Sequence, residues 1–170
     1  MTRERLSITR SQATRRPEII RPVPHFYEFN NKQILATLKN TTDEMPAGIR
    51  EIKVVLDGKD PRIPKYKIIG GFDQNCVQIL LPEKLLKSDH HQIEWVCLLT
   101  FTGFQFKYVY KNSKNKLLFA LADEDAYCYC DSDPCAECRF KCKNGFSVFA
   151  YWRDEGIFGK SISPFRKLTI

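Results

Sequence analysis

A chain of 170 residues with 43% hydrophobic and 12% aromatic content can fill one good core, and its net charge of +7 favours an acidic or anionic partner. No run approaches the roughly 20 uninterrupted apolar residues that a bilayer crossing needs, and Thr2, Arg3, Glu4 and Arg5 lead into no apolar signal segment. These features speak against a membrane or secreted protein. The expected location is intracellular, cytoplasmic or nuclear, where thiols stay reduced.

Residues 1–22 carry Arg3, Arg5, Arg10, Arg15, Arg16 and Arg21 against Glu4 and Glu18 only, which reads as a disordered basic arm. Pro22 and Pro24 mark the approach to a single domain, expected over 23–160, with a tail over 161–170. Residues 25–29 read as a short strand. Ile34, Leu35 and Leu38 fit either a helical face or an irregular strand, and 41–48 form a connection around Pro46. The run 52–56 is closed by the Asp57-Gly58 turn signal, and 66–69 by Gly70-Gly71; Pro61 and Pro64 interrupt pairing between them. Residues 76–81 form the next strand, and 82–87 one helical turn opened by Pro82.

The clearest strands are 92–101 and 104–111, joined by Thr102-Gly103. In the first, Ile93, Trp95, Cys97, Leu99 and Phe101 alternate onto one expected core face. In the second, Phe104, Phe106, Tyr108 and Tyr110 do so, with Gln105, Lys107 and Lys111 pointing away. Strands over 116–122 and 146–152 follow, whereas 153–170, with Gly156, Gly159 and Pro164, reads as surface chain. About seven or eight short strands without intervening helices predict a mainly β fold, an antiparallel β-sandwich.

Five of the seven cysteines, Cys128, Cys130, Cys135, Cys138 and Cys142, fall within 128–142. Gathered thiolates chelate metal well, and a tetrahedral site needs four, so the spacing predicts a loop stapled by structural Zn2+. Cys128, Cys130, Cys135 and Cys138 are the most compact foursome, and Cys142 can replace one of them. Arg139 and Lys143 would offset the negative charge of a four-thiolate centre. Disulfides and free or redox-active thiols stay open as alternatives. Cys97 reads as a packed core thiol.

Neither a nucleophile elbow, a phosphate-binding glycine loop nor a Cys/His signature is present, and His90 and His91 read as a surface turn. The expectation is therefore that the chain is not an enzyme. Residues 102–108 resemble the RNP1 strand of RNA-recognition motifs, which implies base stacking on alternate aromatics. Residues 79–84, 93–95 and 104–108 resemble the strand order of starch- and glycogen-binding β-sandwich modules, which implies a sandwich and glycan binding. The leading expectation is a non-catalytic interaction or regulatory protein that binds another macromolecule, most readily a protein. The alternative is an RNA- or DNA-binding protein using Arg3, Arg5, Arg10, Arg15 and Arg16 with Lys107, Lys111, Lys114 and Lys116.

Overall fold

The computed structural model describes residues 24–30, 32–37, 47–56, 58–70, 75–110, 113–122, 125–126, 143 and 145–162. The fold is mainly β, as the turn spacing predicts. In chain order the elements are β1 (His25–Phe29), β2 (Ile34–Thr37), β3 (Ile49–Ile52), β4 (Val54–Leu56), β5 (Lys65–Ile69), β6 (Cys76–Leu80), the single-turn α1 (Glu83–Leu86), β7 (Ile93–Leu99), β8 (Phe104–Tyr108), β9 (Lys116–Ala120), β10 (Phe146–Trp152) and β11 (Gly156–Ile162). The expected seven or eight strands become eleven among the described residues. Part of the excess arises because the run read as one strand over 52–56 is broken: β3 ends at Ile52 and β4 starts at Val54, in different sheets.

Three sheets form, with strand orders β2-β1-β3, β4-β11-β10-β7-β8 and β5-β6-β9. All pairings are antiparallel except β4 with β11. The five-stranded sheet lies between the other two. On one face Val96 and Leu98 of β7 and Val148, Ala150 and Trp152 of β10 share a core with Val77 and Ile79 of β6 and Phe119 of β9. On the other face Trp95, Cys97 and Leu99 of β7 and Phe149 and Tyr151 of β10 pack with Phe26 of β1.

Strands covered on both faces lose the half-polar alternation of a two-layer strand. β7 and β10 accordingly read IEWVCLL and FSVFAYW, each with one residue that is not buried. This corrects the one-faced assignment of residues 93–101: Trp95, Cys97 and Leu99 face the β1 side, while Ile93 and Phe101 belong to the opposite core. Burial also pushes the Cys97 thiol up to about 12, in keeping with its reading as a packed residue.

The largest correction concerns residues 153–162, which the sequence reading places on the surface. Here β11 pairs with β10 along its length, and Ile157, Phe158 and Ile162 are buried core residues. Its glycines serve the sheet instead of interrupting it. Gly156 supplies a φ of +109° at the β10–β11 turn, after Asp154 at +61°. At Gly159 a Cβ would stand 2.8 Å from Phe149 Cδ1 and 2.9 Å from Leu56 Cδ2, so close packing of β4 and β10 requires its absence.

A polar knot ties the 58–64 connection to this hairpin. Arg62 donates to both carboxylate oxygens of Asp60 (Nε to Oδ1 2.9 Å, Nη2 to Oδ2 2.6 Å) and to Glu155 Oε2 (2.8 Å), with its guanidinium 4.1 Å from the Phe158 ring centre. Trp152 Nε1 donates to the Arg62 carbonyl at 3.2 Å, and His91 Nδ1 lies 2.9 Å from Glu155 Oε1. The Arg62 guanidinium holds the Asp60 carboxyl below the usual carboxylate range. His91 is thus a tie in this knot, whereas His90 is exposed as a turn residue.

Replacing Gly159 by Ala should destabilise the fold by about 1–3 kcal/mol, through forced movement of Phe149. Urea denaturation followed by tryptophan fluorescence would register the loss, and an unchanged midpoint would contradict this account of the β10–β11 packing.

Candidate functional site

β8 is the outer strand of the central sheet and forms a backbone ladder only with β7 among the described strands. Thr100 N donates to Gly103 O and Val109 N to Glu94 O, both at 2.8 Å, so residues 100/103 and 94/109 are hydrogen-bonded pairs. Antiparallel ladders alternate bonded and non-bonded pairs. The pairs Trp95↔Tyr108, Cys97↔Phe106 and Leu99↔Phe104 are therefore the non-bonded ones. It follows that the N–H and C=O groups of Phe104, Phe106 and Tyr108 point away from β7, toward the free edge.

The same three residues carry the aromatic side chains of β8. The sequence reading puts this face in a core, but Phe106 is 50% exposed, Tyr108 72% and Tyr110 71%. Phe104 packs against the core on this side, and Phe106 reaches it through the edge of Trp95. The reason is the width of the covering sheet: β2 is its last strand, and beyond β2 nothing described overlies the end of β8. On the other flank β3 passes into β4, so one chain segment closes the two layers together. Among the described residues the β2–β8 flank has no such link, and between its strands opens a groove of about 170 Å³ lined by Phe26, Ile34, Ala36, Trp95, Phe106 and Tyr108.

Packed aromatic rings form the groove floor. Trp95 stacks on Tyr151 (ring centres 5.4 Å apart, planes 23° apart), meets Phe106 edge-on at 5.5 Å and lies 5.8 Å from Phe26, which meets Phe149 edge-on at 5.4 Å. Asp125, buried, anchors the hairpin tip by accepting from Phe101 N (2.9 Å), Thr102 N (3.2 Å) and the Thr102 hydroxyl. Its neighbour Ala126 accepts a 2.6 Å bond from the Nζ of Lys143, a lysine without solvent exposure. The residues flanking 127–142 are therefore in contact. A larger cleft lined by Glu28, Phe29, Asn30, Lys32, Gly48, Ile49 and Arg50 offers less chemistry, because Arg50 pairs with Glu28 and Lys32 with Asp154.

Cys128, Cys130, Cys135, Cys138 and Cys142 lie outside the described residues, as do Arg3, Arg5, Arg10, Arg15, Arg16 and Lys111. Among the described residues no group of three or more metal-ligating side chains is found. Lys107, Lys114 and Lys116 are exposed, but they do not all share a surface with the aromatics. Lys107 is on the opposite face of β8, its Nζ 5.5 Å from the centre of the Phe119 ring. Lys116 stands across Leu80 from Lys65 on the outward face of β5-β6-β9, which also carries Lys67 and contains no acidic residue in its three strands. Lys65 and Lys67 escaped the sequence reading because only the sheet register brings them beside Lys116.

No family model matches the chain, and no curated protein matches its sequence. Among solved structures, the superoxide reductase from Treponema pallidum is similar, with a TM-score of 0.53 and 15% identity over 81% of this chain and 97% of that one. The likeness concerns the fold alone. It corrects the expectation that the chain is not an enzyme: the fold carries an enzyme in the matched protein, and active sites are assembled from separate strands without any local motif. No helix among the described residues is long and apolar enough to cross a membrane.

Replacing Asp125 by Ala leaves two backbone donors at the hairpin tip unpaired and should cost about 1–3 kcal/mol. Amide exchange at Phe101 and Thr102 should accelerate in the same variant. Unchanged exchange there would contradict the anchoring role.

Proposed function

We propose that this is a protein-binding interaction or regulatory module whose β8 edge and aromatic groove receive an extended segment of another polypeptide. One observation carries the reading: the strand residues whose backbone groups face outward are those whose aromatic rings line the open edge. Strand addition uses both at once, main-chain bonds for affinity and alternate side chains for selectivity. Large exposed aromatics beside an apolar groove are the composition of interface centres.

The finer architecture belongs to the same proposal: a β-sandwich body with a basic arm over 1–22 and a cysteine segment held by one Zn2+ in a cytoplasmic or nuclear setting. Contact between Ala126 and Lys143 supports a segment that departs and returns at one place, and the Lys143 cation would offset part of the charge of a four-thiolate centre. Because Asp125 grips the hairpin tip next door, a clamped segment would also steady the β8 edge.

Protein purified without chelator is expected to carry about one zinc per chain, and considerably less after Cys135→Ser. Metal analysis giving no zinc in the parent protein would end that part of the reading. For the edge, Phe106→Asp and Tyr108→Asp should abolish capture of a partner that Lys65→Glu leaves intact. The bound partner should slow exchange at the Phe104, Phe106 and Tyr108 amides. Capture indifferent to both aspartate substitutions would overturn the proposal.

A second reading, nucleic-acid binding, is favoured by the acid-free lysine face of Lys65, Lys67 and Lys116. It requires an affinity for RNA or DNA that falls steeply with salt and drops on Lys65→Glu or Lys67→Glu.

A further inference from the structure

The β8 edge is complementary to itself, and we infer that the polypeptide it receives is the β8 strand of a second copy of this chain. This inference rests on the strand-addition reading and names its partner. Centring an antiparallel pair on Phe106 places Phe106 opposite Phe106 of the second copy and Phe104 opposite Tyr108. Every outward N–H and C=O of these residues then meets a counterpart, since they are the groups that β7 leaves free. Side chains directly opposite share a face, so the aromatic rows of the two copies join into one ladder and their grooves adjoin.

The polar face of β8 fits the same register. Gln105 falls opposite Lys107 of the other copy, and the two lysines are displaced from each other along the strands. Gln105 Nε2 already donates to Ala120 O at 3.0 Å, which leaves its Oε1 to accept from the incoming ammonium. Moving the centre to Lys107 would set the lysines face to face and strand Phe104. Moving it to Gln105 would strand Tyr108. One register therefore satisfies backbone, rings and charge together.

Lys107 is the one charge among the usual devices against such pairing, and this register sets it opposite Gln105 instead of another lysine. FQFKY contains neither proline nor glycine, and its register with β7 runs without a bulge from Leu99↔Phe104 to Trp95↔Tyr108. The resulting junction joins two five-stranded sheets through a two-fold axis and closes on itself, as symmetric dimers do. A single strand junction is small, so the dimer should dissociate on the order of micromolar concentrations.

Sedimentation equilibrium of the full chain across a wide concentration range provides the test, with circular dichroism to show that each variant folds. The parent should dimerise. Gln105→Lys, which sets two lysines opposite each other twice per dimer, should weaken association roughly tenfold. Adding Lys107→Glu to that variant should restore it, since each new lysine then faces a glutamate. Dimerisation indifferent to Gln105→Lys, or weakened without rescue by the double change, would overturn the register. A monomer at every concentration that still captures a partner through Phe106 and Tyr108 would overturn this inference alone. A monomer that captures nothing would overturn the strand-addition reading as well.

Discussion

Burial of the central sheet on both faces governs the rest of this molecule. A β-strand flanked by core on each side must be apolar at odd and even positions alike, and β7 and β10 are. Two covering layers are then obligatory, because either bare face would leave bulky residues such as Trp95 and Phe149, or Trp152 and Leu98, in water. Each layer is only three strands wide against five beneath it. A narrower cover cannot shield the whole central sheet, so one margin stays partly open.

Which margin opens is decided by connectivity. β3 and β4 are separated only by Lys53 yet belong to different layers, which holds the covering sheet down at the β4–β11 side. Among the described residues the opposite side ends in two unlinked edges, β2 and β8. Phe106 and Tyr108 are exposed there as a consequence of layer width and chain path. Packed aromatic rings under this opening and a hairpin tip gripped by Asp125 shape the edge. Geometry held by the fold in this way lowers the ordering cost of association.

The likeness to a superoxide reductase fits this division between scaffold and site. Two chains with 15% identity share the layered β architecture, while the side chains that would define chemistry are free to differ. Fold is specified by which positions are apolar, and many sequences satisfy that requirement. The edge, the groove and the lysine face of β5-β6-β9 are properties of this chain's own side chains.

Several strands were legible directly. His25–Phe29 and Phe146–Trp152 have the bounds that turn residues and apolar content predict, and the Thr102-Gly103 hairpin is where it was expected, because turn chemistry and strand period act over a few neighbours. β11 was hidden: its glycines read as breaks, and only the close approach of Phe149 and Leu56 reveals why position 159 has no side chain. The aromatic alternation of β8 was visible, but alternation tells which residues share a face and not whether another layer covers it. That was settled by the strand order and by the width of the β2-β1-β3 sheet. Local sequence thus determined most of the strands, the 102–103 hairpin and which residues share a face. Tertiary structure alone decided which faces are buried and which edge is open, since burial depends on contacts between segments far apart in the chain.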